Sequence, residues 1–399
     1  MRISTPGLHQ NALTAMLLQQ SVLSKTQNQI ATGKRVQTPA DDPVAAVHIM
    51  ELQRALQEAE QFGKNADMAH NRLTLEEQAL SDVGTLLQRV RELAVQGNNA
   101  SVDEQSRKML ATEIRGRLQE LVDIANRRDA NGEYLFGGYA TLSKPFQMSG
   151  DTVEYRGDQG SRLLQVGPSQ KVADSHSGFD VFLRVPEGNG RFVTAASNLN
   201  TGTGVISGGT LVNQALGVAD DYTIRFTSDA GDYQILDGTG TEIATGVYTQ
   251  DTAITVGNVS VDLRGMPAMD DEFTVSRSRT EDIFTTLAEL AAALDAPLGT
   301  QAQRAQVNSR MASVLAQLDT TETHLLGVRA QVGTRLAAIE SAQNTLEDQK
   351  VELESMTSEL RDLDYAEAIT RMNQQLLGLQ AAQASYAQIS QLSLFNYLR

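Results

Sequence analysis

Cysteine and tryptophan are both absent from the 399-residue chain, and aromatic residues make up only 5% of it. Without cysteine there is no disulfide staple, no thiolate metal site and no cysteine nucleophile. Such a chain suits the cytosol, and equally a protein that crosses an oxidising space where thiols would cross-link. Proline is scarce as well. The eight prolines stand at 6, 39, 43, 145, 168, 186, 267 and 297, which leaves 44–144 and 298–399 free for uninterrupted helices. No run of 18 apolar residues occurs, so no membrane-spanning helix and no membrane insertion are expected. The opening MRISTPGLHQNALTAMLLQQ lacks a basic segment followed by a continuous apolar run, so no cleaved secretory signal is expected.

What is present points to a globular chain, with 41% hydrophobic and 21% charged residues. The net charge of −16 argues against a nucleic-acid partner, because phosphate binding needs concentrated Lys and Arg. The charge is uneven: residues 146–277 hold 17 acidic against 8 basic side chains, which reads as a solvated surface. The same stretch holds 18 of the 31 glycines, among short runs such as YTIRFTS, YQILDG and VSVDLRG that alternate apolar and polar residues. The order is therefore helical, then β-rich, then helical. The expected class is α+β: a long coiled-coil or bundle formed by the N- and C-terminal segments, with an inserted all-β domain.

Heptad-like stripes mark the helices. Leu13, Met16, Gln20, Leu23, Gln27 and Ile30 follow a 3,4 spacing that keeps one face, and Gly33 predicts the helix stop. In PADDP, Asp41 or Asp42 supplies a cap and Pro43 a first helical residue; that helix runs to about Gln96 with Leu80, Val83, Leu87, Val90 and Ala94 inward. Ser101 and Glu104 have capping-box spacing for a further helix to about Arg128. After the β-rich stretch, Ile283, Leu287, Leu290 and Leu294 form a short stripe ending before Pro297. Val307, Met311, Val314, Leu318, Thr321, Leu325, Val328 and Val332 then alternate by four and three. An extra four-step to Leu336 is a stutter, before the stripe resumes at Ile339. The last stripe is Ile369, Met372, Leu376, Leu379, Gln383 and Tyr386. Few strongly apolar residues lie on the terminal stripes, and Gln20, Gln27 and Gln383 weaken them further. The predicted outcome is a pair of end helices that folds stably only inside a larger multi-chain bundle.

Enzyme chemistry finds no support in the motifs. His9, His48, His70, His176 and His324 are far apart, with no metal-ligand spacing, and read as surface or packing residues. Gly202, Gly204 and Gly208 lack G-x-G-x-x-G spacing and a P-loop lysine; Asp237 to Glu242 lacks the EF-hand ligand order and reads as a β-turn. A G-x-S-x-G elbow is absent. No catalytic residue, cofactor or metal is expected. Tyr134, Phe136 and Tyr139 around Gly137-Gly138 predict a small hairpin whose aromatics pack on the helices.

The N-terminal stripe, ATGKRVQTPADDP, LLQRVRELAVQ and the C-terminal RDLDYAEAITRMNQQLLGLQAAQASYAQISQLSLFNYLR together resemble the bacterial flagellin superfamily. Within it, MRIST, PADDPVAA and especially NGEYLFGGY resemble its hook-associated branch. The resemblance covers the chain to about residue 145 and its last 120 residues. It implies an inner domain from 1–40 and 361–399, a helical rod domain from 41–145 and 278–360, and an outer β-domain from 146–277. It also implies a structural adaptor between hook and filament, exported unfolded through the flagellar type III channel. Implied partners are further copies of the chain, hook-associated protein 1, flagellin, the filament cap, and a cytoplasmic export chaperone on the C-terminal helix. In some flagellins an immune receptor reads residues that match Arg89, Leu93 and Glu113 here; the alternative is ordinary helix packing. Rival readings are a flagellin-type filament subunit and, from another class, an adhesin or glycan-binding module on a helical stalk.

Overall fold

The computed structural model describes residues 5–99 and 101–391. Six α-helices frame the described chain. Before the β-rich stretch come α1 (Thr5–Thr32), α2 (Pro43–Gly97) and α3 (Glu104–Ala125); after it come α4 (Ile283–Asp295), α5 (Gln301–Arg361) and α6 (Tyr365–Gln391). The two proline-free tracts hold the longest helices, α2 with 55 residues and α5 with 61.

Local chemistry sets their ends. α1 stops where Gly33 takes a left-handed φ of +69°. Of the two candidate caps for α2, Asp42 does the work, its Oδ1 accepting from the Ala45 amide at 3.0 Å. At α3 the expected Ser101 cap is wrong. Asp103 caps instead, accepting from the Ser106 amide at 2.7 Å, while the Ser101 hydroxyl donates to Asn99 Oδ1 at 2.6 Å. α3 also ends before Arg128, because Asn126 leaves the helix to bond the backbone of Phe146 through both ends of its carboxamide, each at 3.0 Å.

The chain folds as two compact units, residues 1–64 with 342–399, and residues 65–341; α2 and α5 contribute to both. In the first unit α1 and α6 lie antiparallel, Gly33 beside Tyr365 and Gln19 beside Gly378. The second unit joins a helical body to a β-sandwich. Val307, Met311, Val314, Leu318, Thr321, Leu325, Val328 and Val332 on α5 are all buried, and so are Leu80, Val83, Leu87, Val90 and Ala94 on α2. Leu336 is half-buried at the stutter, and Ile339 is buried again.

The strands fall into two groups. The hairpin β1 (Phe146–Ser149) and β2 (Thr152–Tyr155), the pair β3 (Leu163–Gln165) and β4 (Lys171–Ala173), and a π turn at Phe179–Leu183 all belong with the helices. Phe136, Phe146, Phe182 and Phe284 cluster there, with ring centroids 5.1–5.8 Å apart. Asn65 on α2 donates to Gln165 O at 2.8 Å, and His324 on α5 lies 2.9 Å from Asp180 O. The rest form the sandwich proper, entered at β5 (Val185–Pro186), which pairs with the exit strand β14 (Thr280–Glu281). Between them run β6 (Phe192–Ala196), β7 (Val205–Leu211), β8 (Tyr222–Phe226), β9 (Asp232–Leu236), β10 (Glu242–Val247), β11 (Ala253–Val256), β12 (Val259–Arg264) and β13 (Glu272–Arg277). One sheet has the order β10-β9-β8-β13-β6 and the other β11-β12-β7; both close on a core that includes Phe226, Val261 and Phe273. The glycine-rich stretch 146–277 is thus not one β-domain. Its first forty residues pack on the helical body.

NGEYLFGGY is not the hairpin predicted at 134–139. Residues 135–139 run through turns, with Tyr134, Leu135 and Phe136 all buried rather than alternating and Tyr139 exposed. The segment is a loop held by Leu135 N donating to Arg127 O and Tyr134 N to Thr141 O. Arg72 anchors it, with ion pairs to Asp129 at 2.8 Å and Glu133 at 3.1 Å and a bond to Tyr134 O at 2.9 Å. The small hairpin lies just after it, as β1–β2.

Candidate assembly surface

Two motifs far apart in sequence meet at the base of the α1–α6 pair. Around ATGKRVQTPADDP, Arg35 N donates to Arg361 O at 2.7 Å, and the Arg35 guanidinium reaches Leu360 O at 2.7 Å and Asp42 at 3.1 Å. From RDLDYAEA, Leu363 N donates back to Gly33 O at 2.9 Å. Val36 is buried beneath this clasp with Ala45 and Ile49. Asp364 then caps α6, its Oδ1 accepting from the amides of Ala366 at 2.9 Å and Glu367 at 3.2 Å. Electrostatics stiffen the loop. The Lys25 ammonium at 2.6 Å, followed by the Thr38 amide, holds the Asp41 carboxyl well below the usual carboxylate range. Asp42 is held down by the Ala45 amide first and by Arg35 second.

Above the clasp, each helix turns a regular stripe toward the other. On α1 the less exposed positions follow the stripe Ala12, Met16, Gln19, Leu23, Thr26 and Ile30, with buried Gln29 beside it; on α6 they follow the stripe Ala368, Met372, Gln375, Leu379, Ala382 and Tyr386, with Arg371 and Gly378 beside it. Both stripes repeat by four and three, the spacing that keeps a face on a partner helix. Half of these positions are Ala, Gln or Thr, too small or too polar to bury much apolar area.

The predicted stripe therefore splits. Met16, Leu23, Ile30, Met372, Leu379 and Tyr386 lie on the covered faces. Leu13, Gln20, Gln27, Ile369, Leu376 and Gln383 are exposed instead, one position round the helix. Periodicity alone could not separate the two stripes, because an outward residue is often larger than its covered neighbour, as Leu13 is than Ala12 and Ile369 than Ala368. Leu17, Leu18, Val22 and Leu377 add to the outer faces, with Leu17 and Leu377 each 64% exposed. The segment MRIST and the residues after Gln391 lie outside the described residues, apart from Thr5.

Of the three candidate receptor residues, the structure joins two. Arg89 on α2 and Glu113 on α3 form a surface ion pair at 3.0 Å, and Glu92 first, then Glu113, raises the Arg89 pKa. Leu93 is fully buried, so nothing outside the folded chain can touch its side chain. Sequence reasoning also missed a buried pair. His176 Nδ1 stands 2.7 Å from Glu76 Oε1, and its backbone amide donates to the same carboxylate. Separation by 100 residues left no local signal for it.

Comparison with known proteins agrees with this geometry. Residues 3–141 match the bacterial flagellin N-terminal helical region and residues 315–398 the C-terminal helical region. The chain is 34% identical over 182 residues to flagellar hook-associated protein 3 of Salmonella typhimurium, covering 46% of this chain and 57% of that protein. The corresponding Escherichia coli protein is 35% identical over the same span. The chain thus spans little more than half the length of these curated relatives. Solved structures match further. Xanthomonas campestris FlgL is 33% identical with a TM-score of 0.73, covering 77% of this chain and 99% of that one. Hook-associated protein-3 of Legionella pneumophila is 30% identical with a TM-score of 0.74, covering 78% and 98%. With nearly the whole of these structures covered at such identity, the chain belongs to the flagellar hook-associated protein 3 (FlgL) family.

Proposed function

We propose that the chain is a structural adaptor of the bacterial flagellum, joining hook to filament without catalysis. The observation that carries this is the unequal dressing of the end helices. Their mutual face is thin, whereas Leu13, Leu17, Leu18, Val22, Ile369, Leu376 and Leu377 stand exposed on the outer faces. Apolar side chains so concentrated on the outer faces of two helices suit burial by neighbouring helices. The inner assembly domain is then 1–40 with 361–399, and further copies of the chain supply the missing cover. Hook-associated protein 1 lies on one axial side and flagellin, with the cap during assembly, on the other. Before export a cytoplasmic chaperone covers the C-terminal helix, and the chain leaves unfolded through the flagellar export channel.

The receptor reading of Arg89, Leu93 and Glu113 gains nothing, since Leu93 is sealed. The test is a strain lacking this chain. Hooks that remain intact, filaments that are missing and flagellin released as monomer support the adaptor. Restoration of filaments by a Leu17→Asp/Leu377→Asp double variant overturns the assigned faces. Growth of the purified chain into long filaments favours the flagellin-type reading instead.

A further inference from the structure

Two Asn-Gly turns in the chain form a matched pair. In the first, Gly132 has φ +82° and its amide donates to Asp129 O at 3.0 Å; in the second, Gly190 has φ +76° and its amide donates to Glu187 O at 3.1 Å. Both asparagines are exposed. Their side chains differ. Asn189 Oδ1 accepts from Arg191 N at 3.0 Å and Phe192 N at 2.9 Å, so its carboxamide is the clamp of its own turn. In the other turn Asp129 is the clamp, its Oδ1 accepting from Asn131 N at 2.9 Å and Glu133 N at 3.0 Å. The Asn131 carboxamide makes no hydrogen bond among the described residues. A third site of the same chemistry, Asp237-Gly238, is held like Asn189, its Oδ1 accepting from Thr239 N, Thr239 Oγ1 and Thr241 N at 2.7–2.9 Å.

We propose that Asn131 is a self-modifying site of the folded protein, deamidating through a cyclic imide while Asn189 is protected by its turn. The Gly132 nitrogen, having given up its proton, attacks Asn131 Cγ; the N–Cγ bond forms, the Cγ–Nδ2 bond breaks and ammonia leaves. Water then opens the imide at either carbonyl, leaving aspartate or an isoaspartyl linkage. The glycine amide is equally engaged in both turns, so the difference in rate rests on the carboxamide. For Asn189 to swing its Cγ onto the Gly190 nitrogen it must first break two backbone hydrogen bonds. Bonds of ordinary strength correspond to roughly 10- to 100-fold in rate. The consequence at Asn131 is local and electrostatic. A new carboxylate, joined in the isoaspartyl product by a backbone lengthened by one methylene, appears between Asp129 and Glu133, both of which pair with Arg72.

The test is timed incubation of the purified full-length chain in mildly alkaline buffer, with peptide mass spectrometry at both asparagines and isoaspartate-specific methylation as a second readout. Modification at Asn131 should outrun that at Asn189 by roughly 10- to 100-fold. In urea both side chains are free, so the two rates should converge. Asn131→Gln should remove the fast phase and leave the slow one. Equal native rates, a faster Asn189, or an Asn131 rate no higher than that of the clamped Asn189 overturns the proposal.

Discussion

The sandwich at residues 192–277 and the α1–α6 pair meet the same requirement, to remove apolar side chains from water, in opposite ways. In the sandwich, Phe226, Val256, Val259, Val261, Phe273 and Val275 are completely buried by the chain's own two sheets. In the terminal pair Leu23 is the one large apolar residue of the described helices that reaches the buried class, at 8% exposure, while Leu17, Leu18 and Leu377 face outward. Hydrophobic stabilisation grows with area removed from water, so the first region holds itself together and the second is left incomplete. The difference teaches where folding ends and assembly begins. A segment half of whose covered positions are Ala12, Gln19, Thr26, Ala368, Gln375 and Ala382 gains little from its own pairing.

The largest expected effect tests that contrast directly. Phe273→Ala should destabilise the sandwich by about 3–5 kcal/mol, because a fully enclosed ring leaves a cavity that two sheets cannot collapse. Leu23→Ala in the isolated chain should shift the main unfolding transition by less than about 1 kcal/mol, since the terminal pair contributes little to it. Urea titration followed by tyrosine emission measures both; with no tryptophan, the sandwich residues Tyr222, Tyr233 and Tyr248 are useful reporters. Similar losses in the two variants would break the comparison.

A pH effect should distinguish the neck of the sandwich from the rest. Glu281 on β14 has its carboxyl pushed up from 4.5 to about 7, by burial first and then by the nearby Glu289, Glu187 and Asp282 charges. Between these two values the folded state holds a proton that the unfolded chain has released. Stability therefore falls as pH rises through that window, and is fully retained only below it. Glu281→Gln should weaken the dependence, leaving the part due to Glu289, whose carboxyl burial also pushes up, with a gain of order 1 kcal/mol above neutrality after allowance for solvent screening. A wild-type stability that is flat from pH 5 to pH 8 would show that the carboxylate is fully solvated.

Comparable in size is the effect expected at the clasp below the terminal pair. Gly33 stands at φ +69°, and a Cβ there would come within 2.9 Å of the Tyr365 hydroxyl. Gly33→Ala should cost about 1–2 kcal/mol, through backbone strain and this contact together. Amide exchange at Leu363, which donates to Gly33 O, reads the loss; the sandwich amides should not respond.

How far these features were legible follows the same division. Large apolar residues at heptad spacing identified the buried faces of α2 and α5, because there the inward positions are also the hydrophobic ones. On α1 and α6 that equivalence fails. Leu13 and Ile369 advertise a face that the folded chain leaves open, and Ala12 and Ala368, which it covers, carry no signal. Caps were readable only to within two residues, since Ser101 and Asp103 are both good candidates and the backbone chooses. The meeting of ATGKRVQTPADDP with RDLDYAEA was illegible from spacing, as was the pairing of His176 with Glu76. Long-range partners leave no periodic mark in a single sequence.

The smallest predicted effect sharpens the comparison most, because it asks whether the terminal pair is thin by construction. Gln375 lies on the covered face of α6, and its Oε1 is buried without a hydrogen-bond partner. Such an orphaned carbonyl opposes pairing, and Gln375→Leu both removes it and adds apolar area. The isolated chain should then protect α1 and α6 better, by about 0.5–1 kcal/mol, seen as slower amide exchange along both helices. If the pair exists to be completed by neighbours, a tighter monomer is no advantage, and complementation of a strain lacking the chain should weaken as protection rises. Faster exchange in the variant would mean that Gln375 is held by the pair rather than tolerated by it. The outward stripe of leucines would then be surplus surface, and the distinction between a self-sufficient sandwich and an unfinished bundle would lose its main support.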